Sequence, residues 1–481
     1  MVVGEVAVET DVVVIGGGPG GYAAAIRLGQ LGKSVVLIEK DQLGGVCLNR
    51  GCIPSKALIH TAEQFHGLTH FRKMGIHLPE KEATVDLGTW QMWKESIVSQ
   101  LNQGIAHLCK ENGVTVVTGH AAFLSEDRIG VETGGDFETY KFKEAIIATG
   151  SRPFIPPFLE VDGEYILDST SALALVQIPE RLAIIGGGYI GVELGMAYAK
   201  MGSQVTIIEL ADRILPQVAG HLVREVERKA KKLRITIKTS TRVEKASIEE
   251  REVHLHLSSE LQVGEILFSD KALVTIGRVP NTQGIGLDRA GITTDEKGYI
   301  AVDSKCRTQV PHIYAIGDVT PGPALAHRAS KQGIVAAEVI GGLPSAIDSP
   351  HVPYVIFSDP QIAGVGYTRE EAQLQGHEVK VGTFPFRANG RALATNETEG
   401  FAEVIVDAQT HVLLGLHVVG ADASNLIGEG VLALEMAARV EDIALTMHPH
   451  PTLTEGWLEA AEAALGHAIY IVNKGKASTT D

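Results

Sequence analysis

Residues 11–39 read DVVVIGGGPGGYAAAIRLGQLGKSVVLIE, an apolar run, a glycine-rich turn, an alanine-bearing stretch and a second apolar run that closes on an acid. This pattern predicts strand, turn, helix and strand. It returns without a gap, at an offset of 170, in residues 181–209, RLAIIGGGYIGVELGMAYAKMGSQVTIIE. Further on, residues 313–316 predict a buried strand, 400–406 and 412–419 short mixed strands, and 424–438 and the alanine-rich 458–465 helices. No apolar run approaches the length of a membrane span. Two copies of one strand–helix–strand unit predict an α/β protein.

Each copy carries glycines in the G-x-G-x-x-G spacing: Gly16, Gly18 and Gly21 in the first, Gly186, Gly188 and Gly191 in the second. The first glycine permits the tight turn, the second the approach of a pyrophosphate, and the third close helix packing, while the helix N-terminus attracts phosphate charge. Glu39 and Glu209 close the second strands, where a carboxylate accepts from ribose hydroxyls. One such turn would be weak, since any sharp strand-to-helix turn can use glycines. Two in register, each with its acid, predict two dinucleotide sites. Glu209 would repel a 2′-phosphate where an NADP enzyme places arginine, so NAD is the expected nicotinamide cofactor.

The segment 44–56, GGVCLNRGCIPSK, holds Cys47 and Cys52, two of only four cysteines. A disulfide needs Cα atoms within roughly 7 Å, which positions i and i+5 of one regular helix do not provide. Cys47 is therefore expected on a loop or distorted turn allowed by Gly44, Gly45 and Gly51, with Pro54 in the first turn of a helix beginning near Cys52. A thiolate at that helix start has its pKa lowered. A redox pair, a structural disulfide and two packed free cysteines all fit this spacing. Arg50 between them reads as a solvated loop residue, and Cys109 and Cys306 match no motif.

At 481 residues several domains are expected, and the formal net charge of −16 argues against nucleic acid or an anionic membrane as the main partner. The opening residues 1–6 carry acid and no basic stretch, unlike a signal or transit peptide, which predicts a cytoplasmic protein.

Taken together, the first glycine fingerprint, the GGVCLNRGCIPSK box, Ala148-Thr149-Gly150, the second fingerprint, Gly277-Arg278-Val279-Pro280-Asn281, Ala315-Ile316-Gly317-Asp318 and residues 448–455, HPHPTLTE, resemble the pyridine nucleotide–disulfide oxidoreductases in order and spacing. The likeness spans essentially the whole chain and lies closest to the branch that oxidises dihydrolipoamide with NAD. It implies two Rossmann-like domains, FAD-binding over 1–150 and NAD-binding over 151–279, a central segment 280–350 returning to FAD, and a C-terminal α+β dimerisation domain over 351–481. It implies FAD over Gly16 to Gly21 with its adenosine ribose at Glu39, Ala121 near the adenine, Asp318 at the ribitol chain, Ala326 at the pyrimidine side, and Thr149 and Gly150 within the site. Lys56 would lie near flavin N5, partnered by Glu193. Glu209, Val243 and Gly277 would bind NAD.

The resemblance further implies that His450 and Glu455 form a base dyad, the glutamate holding the imidazole in the tautomer that takes a thiol proton. In the family this histidine serves the disulfide of the other subunit, so a homodimer is implied, as are a lipoyl domain and the acyltransferase subunit of a 2-oxo acid dehydrogenase complex as partners. His448 and His450 as metal ligands with the cysteines are the competing reading, which no C-x-x-C or helix-spaced histidine pair supports. Tyr189 departs from the branch and resembles the tyrosine lid of glutathione reductases. A glutathione-reductase-like enzyme and a docking subunit of a 2-oxo acid dehydrogenase complex are the alternatives. Glu209 opposes the first, and the intact Cys47, Cys52, His450 and Glu455 oppose the second.

Overall fold

The computed structural model describes residues 7–77, 83–259, 263–348 and 351–473. The opening segment 1–6 and the expected boundary at Pro350 lie outside the described residues. Two compact units form, one from residues 1–65, 71–178 and 274–350, the other from 66–70, 179–273 and 351–481. The four expected domain spans divide the chain more finely than these units.

In the first unit the apolar run 12–15 becomes the strand Ala7–Ile15, the glycines the turn, and the alanine-rich stretch the helix Pro19–Gln30, followed by the strand Val35–Glu39. The strand Ala7–Ile15 lies parallel between Val35–Glu39 and Asp136–Ile147, with Val12 opposite Val35 and Glu144. Val114–Thr118 extends the sheet on one side, and Ile313–Ala315 joins it parallel to Asp136–Ile147. Val12 and Val14 enter a core with Leu28 and Val335, while Val13 and Ile15 enter another with Phe123 and Ile147. Burial on both faces explains why this strand is an unbroken apolar run instead of an alternating one.

The second unit repeats the pattern. Arg181–Ile185, the helix Tyr189–Lys200 and Gln204–Ile208 form its start, with Thr236–Lys238 as a further parallel strand. A three-stranded antiparallel sheet, Thr241–Glu249, Glu252–Ser259 and Val263–Ser269, follows. The C-terminal part is a five-stranded antiparallel sheet in the order Tyr354–Ile356, Gln361–Gly366, Leu413–Gly420, Phe401–Asp407, Val379–Pro385. The helices Ala423–Glu435 and Glu455–Leu465 share its core. The first ends before 438 because Ala437 turns into the left-handed region at φ +48°. The second begins at Glu455, three residues earlier than its apolar pattern suggests, so that an acid stands at its N-terminus, where the helix dipole favours negative charge.

Trp457 fills the centre of this core at 1% exposure and donates its indole N–H to the Leu426 carbonyl at 3.0 Å. Trp457→Ala is expected to lower the free energy of unfolding by about 3–5 kcal/mol, read as a shift of the urea midpoint. A loss below about 1 kcal/mol would mean that neighbouring side chains collapse into the space.

Candidate active site

The two glycine turns are the same structure built twice. Gly16 holds φ +104° and Gly186 φ +106°, values open to glycine but strained for any other residue. A Cβ on Gly21 would collide with the Gly16 carbonyl, so helix and strand meet backbone to backbone. Glu39 accepts from the Gly17 amide at 2.7 Å and the Asp41 amide at 3.0 Å, and Glu209 accepts from Gly187 at 2.6 Å and Ala211 at 2.7 Å. Burial raises the Glu39 pKa above the usual carboxylate range, against the turn amide that favours its charge. Gly18 and Gly188 cap their helices without any side-chain hydrogen bond, and Gly191 is buried within the second helix. First-turn amides left uncapped beside a placed carboxylate suit the pyrophosphate and ribose of a dinucleotide. The chain's own residues thus fit a dinucleotide at each turn.

Three motifs far apart in sequence converge in the first unit. The Thr149 hydroxyl donates to the Asn281 carbonyl at 2.7 Å, Asn281 returns its amide to the Thr149 carbonyl at 3.0 Å, and its backbone N–H meets Gly150 at 2.8 Å. Arg278 donates to the Ser151 hydroxyl at 2.7 Å, and Ser151 in turn donates to Asp318 at 2.6 Å. Asp318 is therefore held by a relay that starts one residue beyond Gly277. Ser151 was not among the residues singled out by sequence, and only its place after Ala148-Thr149-Gly150 could have drawn notice. Ala121 lies in the strand His120–Ser125 opposite Val131, and Ala326 opens the helix Ala326–Ile340. Val243 is buried in the second unit's antiparallel sheet, whereas Gly277 belongs to the first unit.

Cys47 and Cys52 are joined in a disulfide with Cα atoms 4.7 Å apart. Cys47 sits in a six-residue helix, Gly45–Arg50, and not in a loop; the chain breaks at Gly51, and Cys52 opens the helix Cys52–Gly67. Two helices with a break between them bring i and i+5 together where one helix could not. Gly44 at φ +93° starts the short helix. Asn49 donates to the carbonyls of Leu43 and Gly45, both at 2.9 Å, and receives an N–H from Asn102 at 2.6 Å, which ties the disulfide turn to the helix Leu87–Glu111. Neither asparagine was expected, although a poor helix former inside the cysteine spacing is a usable signal. Arg50 pairs with Asp41 at the surface. Cys109 and Cys306 are buried thiols, and burial pushes Cys306 up to about 12.

Lys56 lies half-buried one turn after Cys52 in the first unit, beside the Ser55 hydroxyl at 3.4 Å. Glu193, in the second unit, is 3% exposed and accepts the Phe357 amide at 2.8 Å. Tyr189 begins the helix after the second glycine turn and is exposed. His450 Nδ1 meets Glu455 Oε1 at 2.7 Å, and the other carboxylate oxygen accepts the Thr452 amide at 2.9 Å. Because Nδ1 faces a carboxylate, it carries the proton and leaves Nε2 as the basic atom. His448 turns away to Glu429, at 2.8 Å.

Comparison with known proteins agrees with this geometry. Residues 10–333 match the family model of the pyridine nucleotide-disulphide oxidoreductases, and residues 352–461 match the dimerisation domain of the same family. The chain is 48% identical over 476 residues to the dihydrolipoyl dehydrogenase of Geobacillus stearothermophilus, covering 98% of this chain and all of that one. It is 44% identical over 477 residues to the enzyme of the same name from Halobacterium salinarum, with the same coverage. Among solved structures, LpdA from Mycobacterium tuberculosis superposes with a TM-score of 0.88 at 27% identity, covering 94% of this chain and 99% of that chain. The HOCl-induced flavoprotein disulfide reductase RclA from Escherichia coli follows at 0.82 and 30%, over 93% and 98%. Two matched dinucleotide turns, the disulfide and these full-length likenesses have one reading: the chain belongs to the pyridine nucleotide-disulphide oxidoreductases.

Proposed function

We propose that the protein oxidises dihydrolipoamide to lipoamide with NAD as acceptor, using FAD and the Cys47–Cys52 disulfide. The observation that carries this reading is that disulfide, set at a helix start in a chain that aligns end to end with dihydrolipoyl dehydrogenases. FAD held at the first glycine turn would supply the two-electron carrier between the reduced cysteines and NAD.

The chain's own residues do the rest. His450 takes the proton from one thiol of dihydrolipoamide, and the resulting thiolate attacks Cys47, forming a mixed disulfide while Cys52 leaves as thiolate. The second substrate thiol then displaces Cys47 and closes the lipoyl ring, so two cysteine thiols hold the electron pair the substrate has lost. Position at the head of a helix favours the Cys52 thiolate. Lys56 and Glu193 tune the flavin end. Gly16, Gly18, Gly21, Glu39, Ala121, Thr149, Gly150, Asp318 and Ala326 hold FAD; Gly186, Gly188, Gly191, Glu209, Val243 and Gly277 hold NAD. The domain assignment proposed from the motifs is FAD-binding to 150, NAD-binding to 279, a central segment to 350 and a dimerisation domain beyond.

The dimerisation-domain match supports a homodimer, which brings His450 of one subunit to the disulfide of the other. Lipoyl domain and acyltransferase subunit are the proposed macromolecular partners, in the cytoplasm. Among the described residues no helix is long and apolar enough to cross a membrane. The direct test is NAD reduction by dihydrolipoamide with the purified protein, run beside NADP and beside NADPH with glutathione disulfide. Turnover with NAD alone is expected. Turnover of glutathione disulfide instead would assign the site to a glutathione-type reductase, with Tyr189 as its lid.

A further inference from the structure

His448 is the histidine of the HPHP segment that the chemistry above does not use. Both of its ring nitrogens face acceptors: Nδ1 meets the Thr446 carbonyl at 2.9 Å and Nε2 meets Glu429 Oε1 at 2.8 Å. A neutral imidazole carries one N–H and can satisfy only one of them. Two acceptors therefore require the imidazolium, and its side chain is only 4% exposed. The charged groups facing it are Glu429, from the helix Ala423–Glu435, and Glu455, from the helix Glu455–Leu465. Both are acids, and the hydrogen bond to Glu429 holds His448 above the usual histidine range.

Glu429 stands three residues after Leu426, whose carbonyl receives the Trp457 indole N–H. Residues three apart share a helix face. One face of Ala423–Glu435 thus grips both carriers of the dyad, the segment bearing His450 through His448 and the helix bearing Glu455 through Trp457. His450 itself is 73% exposed, so its aim depends on these supports and on Glu455.

We propose that His448 is a positioning residue for thiol oxidation, a doubly protonated clamp that seats the His450 segment on Glu429. The inference rests on the function proposed above. His448 acts before the flavin is reached, so its loss separates the two halves of the reaction. His448→Gln is expected to lower NAD reduction by dihydrolipoamide about 10- to 100-fold, the scale of an ångström's misplacement of a reacting group. Reduction of ferricyanide by NADH, which needs neither the base nor the disulfide, should stay within about twofold.

The charge is tested by Glu429→Gln, which keeps an acceptor for Nε2 but removes the anion. A raised folded pKa means that the clamp is intact below the ordinary value of about 6.5 and is lost as pH rises through the folded value. Without the anion that value falls, so the alkaline limb of turnover should move to lower pH. Dihydrolipoamide turnover unchanged in His448→Gln, an equal fall in both reactions, or an unmoved alkaline limb in Glu429→Gln would each overturn the assignment. A wild-type protein that reduces ferricyanide with NADH but does not turn over dihydrolipoamide would overturn the proposed function, and the clamp with it.

Discussion

Cys47→Ser is expected to abolish NAD reduction by dihydrolipoamide, by roughly 10⁴-fold or more, as removal of a nucleophile on which every turnover depends does elsewhere. A serine hydroxyl can neither form the mixed disulfide nor be regenerated as half of a disulfide, so no detour through Cys52 remains. Loss of structure does not explain such a fall. The bridge closes a loop of sequence separation 5, and a loop that short constrains the unfolded chain by only about 2 kcal/mol. The turn also has other ties, through Asn49 to Leu43, Gly45 and Asn102. The variant should therefore fold, bind FAD and reduce ferricyanide with NADH. Retention of more than a few per cent of dihydrolipoamide turnover would show that the disulfide is not the route for electrons.

His450→Gln should cost about 10²- to 10⁴-fold in the same reaction, the range for a general base. The imidazole is poised by the contact of Nδ1 with Glu455, whose second oxygen is already committed to the Thr452 amide. Glutamine can fill the space but cannot take the proton. The defect should lessen with alkali. An unassisted thiol must ionise on its own, and with an ordinary thiol pKa of about 8.5 its thiolate fraction rises about eightfold between pH 7 and 8. The variant's rate at low substrate concentration should climb by that factor, while the wild-type rate climbs much less. A pH profile of kcat/KM parallel to that of the wild type would remove His450 from the proton transfer.

The parts legible in sequence were those made by neighbours along the chain. The glycine turns could be read because a strand-to-helix turn imposes its φ requirement on residues a few positions apart, and Glu39 and Glu209 because an acid closing the second strand recurs in both copies of the repeat. Cys47 and Cys52 could be paired in principle for the same reason. The local form was harder to read: a loop or distorted turn was expected at Cys47, whereas the chain makes a short helix broken at Gly51, because glycine permits either. The start of the last helix was missed by three residues. Its apolar periodicity begins after Glu455, while its actual start is set by a carboxylate that caps the preceding turn.

Sequence by itself determined that this is an α/β chain with two dinucleotide turns and a cysteine pair, because each of these is a short-range constraint; the flavin and the His450–Glu455 pair came from the resemblance of its motifs to a known family. Only the tertiary structure decided what supports them. The Arg278–Ser151–Asp318 relay, the Asn102–Asn49 brace and the His448–Glu429 clamp join residues brought together by folding from separate parts of the chain. A hydrogen bond depends on two groups lying within about 3 Å, and no periodicity of a single segment carries the position of its partner in another.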